Sequence, residues 1–383
     1  MNRPPIRNRY PAIQTALRWH APAGTAAAER AIPVSVWGSS LSTLVGDLRQ
    51  AWESAIVACG AFEWIALGYL AVSSILIALF AKNLAHPYRL MALQSFVAFV
   101  ILSLCRFEAA VNAPCATSSP LSQRCWHFWR HWYPHLFFLF CFEELAHLVH
   151  LITPGWQDAK LIAADFWFTG VRPTVWLEQF ATPTRNDFMQ FAYLTYFTYL
   201  LVVGGILYYR KDWCAYWSVM TYSAVAYAIG YLIAISFPIE SPWFSMAGSW
   251  HAELRGGPFT SLINFIEHYG RVRGAAFPSE HVAGSFAALW GAWRHRRWLF
   301  WTMLPLVLCM CVSTVYGRYH YVVDVFGGIV TGTAGYLIGK WLMTKRGALV
   351  RQTQPHALTN RPRLVHPEDI RQGCSKDVQV NLT

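Results

Sequence analysis

The sequence predicts an all-α fold: a polytopic helical membrane protein with about eight transmembrane helices. Three observations carry this expectation. Apolar residues make up 55% of the 383-residue chain and charged residues only 13%, about half the share usual in soluble domains. The apolar residues gather into runs that approach the ~20 residues needed to cross a bilayer. Polar, arginine-bearing segments separate the runs and flank them at both ends.

Taken in order, the candidate spans are 61–81, 89–105, 133–152, 188–208, 213–237, 277–293, 298–316 and 322–343. The 277–293 run is short and amphipathic, so protein rather than lipid should line it. Before the first span, 41–58 carries several charges and reads as an interfacial or packing helix. The first forty residues have scattered arginines but neither the apolar core nor the cleavage site of a signal peptide. From Lys345 onward the chain is rich in Arg, Gln and Pro, a composition that predicts disorder. The expected organisation is a cytoplasmic segment over 1–58, a catalytic membrane domain over 59–343 and a disordered tail over 344–383.

Basic loops orient the spans. Arg210-Lys211, the Arg294–Arg297 cluster and Lys345-Arg346 are separated by two spans each, which places all three in the cytoplasm with the N-terminus. Lys82 is a small exception. Segments 153–187, 238–276 and 317–321 then face the outer side of the cell membrane or its lumenal equivalent. The net charge of +11 raises nucleic acid as a partner, but no basic stripe with stacking aromatics lies away from the membrane edges, and that class is set aside. The nine cysteines lack the paired spacing of a disulfide framework or a zinc site and read as packed thiols.

The chemistry lies in "FPSEHVAGS" (277–285) and "STVYGRYHYVVDVFGG" (313–328). Ionisable groups at membrane depth cost free energy, which makes them functional candidates. His320 and Asp324 are four apart and share one helix face, so the carboxylate can fix the imidazole tautomer and leave the other nitrogen as nucleophile or base. Pro278 and Ser279 signal a helix start with Ser279 as N-cap, and such an end favours a phosphate. His281, in that first turn, can protonate a leaving oxygen. Arg271, Arg273 and Arg318 flank the motifs with donors that suit phosphate oxygens. Either motif alone fits histidines satisfied by carbonyls and arginines at lipid headgroups. Both together, facing one side, describe a phosphoryl-transfer site.

These residues resemble the type 2 phosphatidic acid phosphatase (PAP2) superfamily, membrane relatives of vanadium haloperoxidases and bacterial acid phosphatases. Pro278, Ser279 and His281 match its Pro-Ser-Gly-His motif, and His320 and Asp324 match its His-x3-Asp. "RGAAFPSEHVA", "VYGRYHYVVDVFGG", "DFWFTGVRPTVWL" and "FPIESPWF" are similar to the branch containing inositol phosphorylceramide synthases. The resemblance implies a six-helix core, His320 as the nucleophile that forms a phosphohistidine, Asp324 as its orienter and His281 as the acid. It implies neither metal nor cofactor. Three positions differ: no lysine stands seven residues before an Arg-Pro, Thr314 replaces the arginine six residues before His320, and Glu280 replaces glycine. "FPIESPWF" takes the lysine motif's expected place, and Arg318 is the candidate substitute for the arginine.

Elsewhere, His127, His131 and His135 have helical spacing, with Pro134 expected to interrupt the helix, and an interfacial aromatic belt outweighs a metal face there. Glu143 and His147 read as a structural pair, and Asp165 with Arg172 either as part of an outer entrance or, equally, as a lipid-headgroup contact. The expected function is hydrolysis of a lipid-linked phosphate or pyrophosphate, with membrane lipids as surroundings. The alternatives are transfer of a phospho-headgroup to an alcohol and lipid-phosphate binding without turnover.

Overall fold

The computed structural model describes residues 55–111, 120–270 and 272–353, with isolated positions 46, 49, 52 and 53 before them. Most of the expected N-terminal segment, the tail beyond 353 and Arg271 lie outside the described residues. The long helices are α1 (Ala61–Leu79), α2 (Pro87–Val111), α3 (Pro120–Leu148), α4 (Asp158–Thr169), α5 (Pro183–Leu194), α6 (Tyr196–Tyr209), α7 (Trp213–Ser236), α8 (Pro258–Gly270), α9 (Glu280–His295), α10 (Arg297–Tyr316) and α11 (Val322–Thr353). Six stretches, 61–79, 87–108, 183–209, 213–236, 297–316 and 322–345, are long and apolar enough to cross a membrane. The chain is a polytopic helical membrane protein. The remaining two candidate spans are also helical: α3, with several charged and histidine residues, and α9, only 16 residues long.

Helix ends follow local chemistry. Thr182 accepts the N–H of Arg185 ahead of Pro183, Asp212 accepts that of Ala215 ahead of α7, and α4 stops at Gly170 with φ +71°. Several expectations need correction. The 188–208 run is two helices joined at Thr195, beginning five residues early because of the Thr182-Pro183 start. α3 begins at Pro120 and runs through Pro134; inside a bundle, neighbouring groups can tolerate the hydrogen bond a proline removes. α11 continues to Thr353, past the expected start of the tail, because its polar residues extend the helix already formed by the span. Cys214 is disulfide-bonded rather than a free packed thiol. Glu143 and His147 are exposed, and the buried acid on that helix is Glu144.

α7 is buried along most of its length, and α9 and α11 pack on it and on each other. A glycine stripe makes this approach possible. A Cβ at Gly328 or Gly332 would strike the backbone carbonyl of Ser279 or Ala283 on the α9 side, and one at Gly335 or Gly339 would meet Tyr222 or Ala226 of α7. On the far side of α7, buried Arg130 of α3 joins the outer helices by pairing with Glu63 at 2.8 Å and Glu108 at 2.6 Å and lying over Trp217 at 4.2 Å. Each charge there has its counterion, which burial requires.

Candidate active site

The close α9–α11 packing brings the two histidine motifs together. Ser279, fully buried, caps α9 by accepting the N–H of Val282 at 3.4 Å, and its own N–H donates to the Asp324 carbonyl at 3.1 Å. The first turn of α9 then presents His281. Ahead of α11 the chain makes a tight turn with Arg318 at φ +67°, where the Thr314 carbonyl accepts the N–H groups of Tyr319 (2.9 Å) and His320 (3.1 Å). Thr314 thus closes a helix end, with its hydroxyl donating to Cys311 at 2.8 Å.

His320 is 3% exposed. Its Nδ1 lies 2.9 Å from the Ala276 carbonyl and 3.4 Å from Asp324 Oδ2, and its Nε2 lies 3.1 Å from His281 Nδ1. A carbonyl can only accept, so Nδ1 carries the proton and Nε2 keeps its lone pair. His281 Nδ1–H must then be the donor to His320. The expected orienter, Asp324, therefore shares its task with a backbone carbonyl, and Asp324 Oδ2 also accepts the Tyr321 N–H at 2.8 Å. Burial pushes the His320 imidazole down to about 4, which favours its neutral form.

Ala276 is held by its N–H bond to Ile239 at 3.1 Å. Asp158 anchors this stretch, accepting the Glu240 N–H at 2.9 Å and the Tyr321 hydroxyl at 2.8 Å. "FPIESPWF" therefore positions the Ala276 carbonyl behind His320. Asp165 stands seven residues before Arg172. Asp165 accepts the N–H groups of Val322 and Val323, both at 2.9 Å, and caps α11; burial raises its pKa and those two bonds oppose the rise.

The structure brings together His281, His320, Asp324 and Ser279. It directs the two described arginines to carboxylates. Arg318, 5% exposed, pairs with Glu178 at 2.8 Å, donates to the Ala252 carbonyl at 2.6 Å and lies over Trp250 at 4.3 Å. Arg273 pairs with Glu240 and lies over Phe244 at 4.9 Å. Glu280 is buried against Gly230 of α7 and its oxygens have no hydrogen-bond partner. His127 and His131 stack at 4.3 Å within an aromatic wall, and no group of three or more potential ligands is gathered for a metal among the described residues.

Sequence reasoning missed Tyr193, whose hydroxyl lies 2.8 Å from His281 Nε2. A signal was there: Asn186, Gln190 and Tyr193 recur at helical spacing and so share one face of α5. Asn186 accepts the Tyr316 hydroxyl and Gln190 the Tyr319 hydroxyl, so the whole polar face of α5 meets the two motifs.

The family profile of the PAP2 superfamily matches residues 160–338, a stretch that contains both motifs. Over that stretch the chain is similar to the PAP2 superfamily. With the membrane-spanning helices, the match supports a PAP2-type membrane protein of the phosphatase or phosphotransferase class in general terms. No match was found among curated proteins or among solved structures. The PAP2 match covers Asp165, Glu178, Tyr193 and Arg318 as well as the histidine pair, so the substituted positions lie within the family domain itself.

Proposed function

We propose that this PAP2-type enzyme hydrolyses a lipid-linked phosphate or pyrophosphate through a phosphohistidine on His320, with the site facing the outer side of the membrane. The observation that carries this reading is the His281–His320 pair, 3.1 Å apart with complementary tautomers. The His320 Nε2 lone pair attacks phosphorus as the bond to the leaving oxygen breaks. That oxygen takes the Nδ1 proton of His281, released from its bond to His320. Water, deprotonated by the same nitrogen, then cleaves the phosphorus–nitrogen bond. The first-turn amides of α9 supply donors for the phosphate oxygens.

A second reading has a specific observation behind it. Arg318 and Arg273 each carry a carboxylate partner, which suits a singly charged phosphodiester better than a monoester. An alcohol in place of water would then make the enzyme a transferase. The test is turnover of purified protein on lipid phosphates and phosphodiesters, with and without an alcohol acceptor. Free phosphate supports the hydrolase, a new phosphodiester the transferase, and binding without turnover would overturn both.

A further inference from the structure

The segment between α7 and α9 contains a helix that the membrane-crossing stretches leave unaccounted for. α8 (Pro258–Gly270) packs on α5, and contacts tie the two at both ends. At its start, Asp187 of α5 accepts the Thr260 N–H at 2.9 Å and the Thr260 hydroxyl at 3.1 Å. Glycine permits this approach, since a Cβ at Gly257 would lie 3.0 Å from Asp187 Oδ2. Near its end, Glu267 Oε1 lies 3.3 Å from the Tyr193 hydroxyl, which is itself 2.8 Å from His281 Nε2. α8 is therefore fixed alongside the Pro183 end of the 183–209 stretch and next to the histidine pair.

At 3.6 residues per turn, the side chains of α8 divide into three faces. Thr260, Ile263 and Glu267 turn toward α5, the first two buried. Ser261, Asn264 and His268 form a second face, polar and exposed. Phe259, Leu262, Phe265 and Tyr269 form a third, an apolar arc of about 120°. All four are exposed, Phe265 by 63%. Water suits the second face and penalises the third, whereas hydrocarbon does the reverse. The boundary between the two satisfies both at once. The surroundings of the third face are indicated by its continuation. Phe191, exposed with Phe188 on the 183–209 stretch, has its ring centroid 5.0 Å from that of Phe259. These three phenylalanines line one groove of about 530 Å³ between α5 and α8. The apolar surface of the span thus passes onto α8 without a break.

We propose that α8 is an interfacial helix, with Phe259, Leu262, Phe265 and Tyr269 set among the acyl chains of membrane lipid and Ser261, Asn264 and His268 in water. α8 carries no lysine or arginine, so its hold on the bilayer is apolar and zwitterionic lipid suffices. Its ties to Asp187 and Tyr193 bring the leaflet up against the helix that contacts His281. For the proposed hydrolysis of a lipid phosphate, on which this consequence rests, the stripe and groove give the substrate's acyl chains a place beside the site.

The experiment uses the full chain with Cys125→Ser, reconstituted in phosphatidylcholine vesicles, with Ser261→Cys, Leu262→Cys, Asn264→Cys or Phe265→Cys carrying a nitroxide. Each variant is first checked for an unchanged melting profile, and the signal of the parent without an added cysteine is subtracted. Collision with oxygen, which concentrates in hydrocarbon, should exceed collision with a water-soluble nickel chelate at 262 and 265, and the order should reverse at 261 and 264. Preference for nickel at all four would put α8 in water and overturn the proposal. Shielding of 262 and 265 from both reagents would overturn it too, because protein, such as a second copy of the chain, would then cover the stripe. In kinetics, Leu262→Glu and Phe265→Glu should raise KM for a long-chain alkyl phosphate about tenfold with kcat retained. Nitrophenyl phosphate should be turned over as by wild type, and Leu262→Met should match wild type on both. Equal losses on the two substrates would overturn the role in substrate delivery. A wild type without phosphatase turnover would remove the proposed function, while the collision pattern would still decide whether α8 lies in the bilayer surface.

Discussion

At the residue scale, the proposed phosphohistidine chemistry gives three side chains separable roles. His320→Ala should abolish turnover and the covalent phosphoenzyme together, read by acid quench or mass spectrometry. His281→Ala should fail mainly on poor leaving groups, since an acidic leaving group needs little help from an acid. Asp324→Asn should fold and lose activity on every substrate; the shared grip of the Ala276 carbonyl, at 2.9 Å against 3.4 Å for Asp324, predicts a partial loss rather than an abolition. A phosphoenzyme that persists in His320→Ala would reverse the assignment. The nucleophile's pKa gives a further expectation. Burial lowers His320 from 6.5 to about 4, so its neutral form serves down to that pH, and the acid limb of kcat/KM should lie near 4 when a phosphodiester of constant charge is used. An acid limb at 6.5 would contradict this. The sign for stability is the same: as pH falls from 6.5 toward 4 the unfolded chain binds a proton that the folded one refuses, so stability is lost across that window. The two histidines and Asp324 were legible because their spacing is local. The pairings of Arg318 with Glu178 and of Tyr193 with Glu267 were not, because partners 140 and 74 residues apart meet only through tertiary packing.

At the scale of elements, the apolar runs located every long helix except α4 and α8, since hydrocarbon demands internally hydrogen-bonded segments. The boundaries were harder. α3 starts thirteen residues before its apolar run because the aromatic and histidine stretch 126–135 is also helical and stacks on Tyr208 and Trp213. The contact that brings the two histidine motifs together, α9 against α11, was visible only as glycines in "VFGG" and its continuation. Gly332→Leu should therefore separate the two histidine-bearing helices. Its new side chain would meet the Ala283 carbonyl and Phe286 Cβ, an overpacking cost of about 1–3 kcal/mol or more. The expected result is a lowered melting temperature together with lost turnover. Val330→Leu, at a position 68% exposed, is the control and should change neither. Equal behaviour of the two variants would show that the stripe does not set the site.

At the scale of the whole molecule, the unresolved question of substrate access reduces to which face of the membrane the site opens on. α9 runs from Ser279, beside the nucleophile, to His295, beside the Arg296–Arg297 pair, a length of about 24 Å for its 16 residues. The site and that basic cluster therefore lie at opposite ends of one helix. If the cluster is cytoplasmic, as its charge argues, the histidines face outward and draw on the outer leaflet. Single cysteines at exposed positions can test this, Glu253→Cys near the Arg318 turn and Arg297→Cys at the other end. The background must lack Cys125, which is a free and exposed thiol. In intact cells a membrane-impermeant maleimide should label Glu253→Cys and spare Arg297→Cys until the membrane is permeabilised. The reverse pattern would turn the site to the cytoplasm and change the lipid pool it can reach. The chemistry of the histidine pair would stand unaltered in that case, because its tautomers are set by Ala276, His320 and His281 and owe nothing to the sidedness of the bilayer.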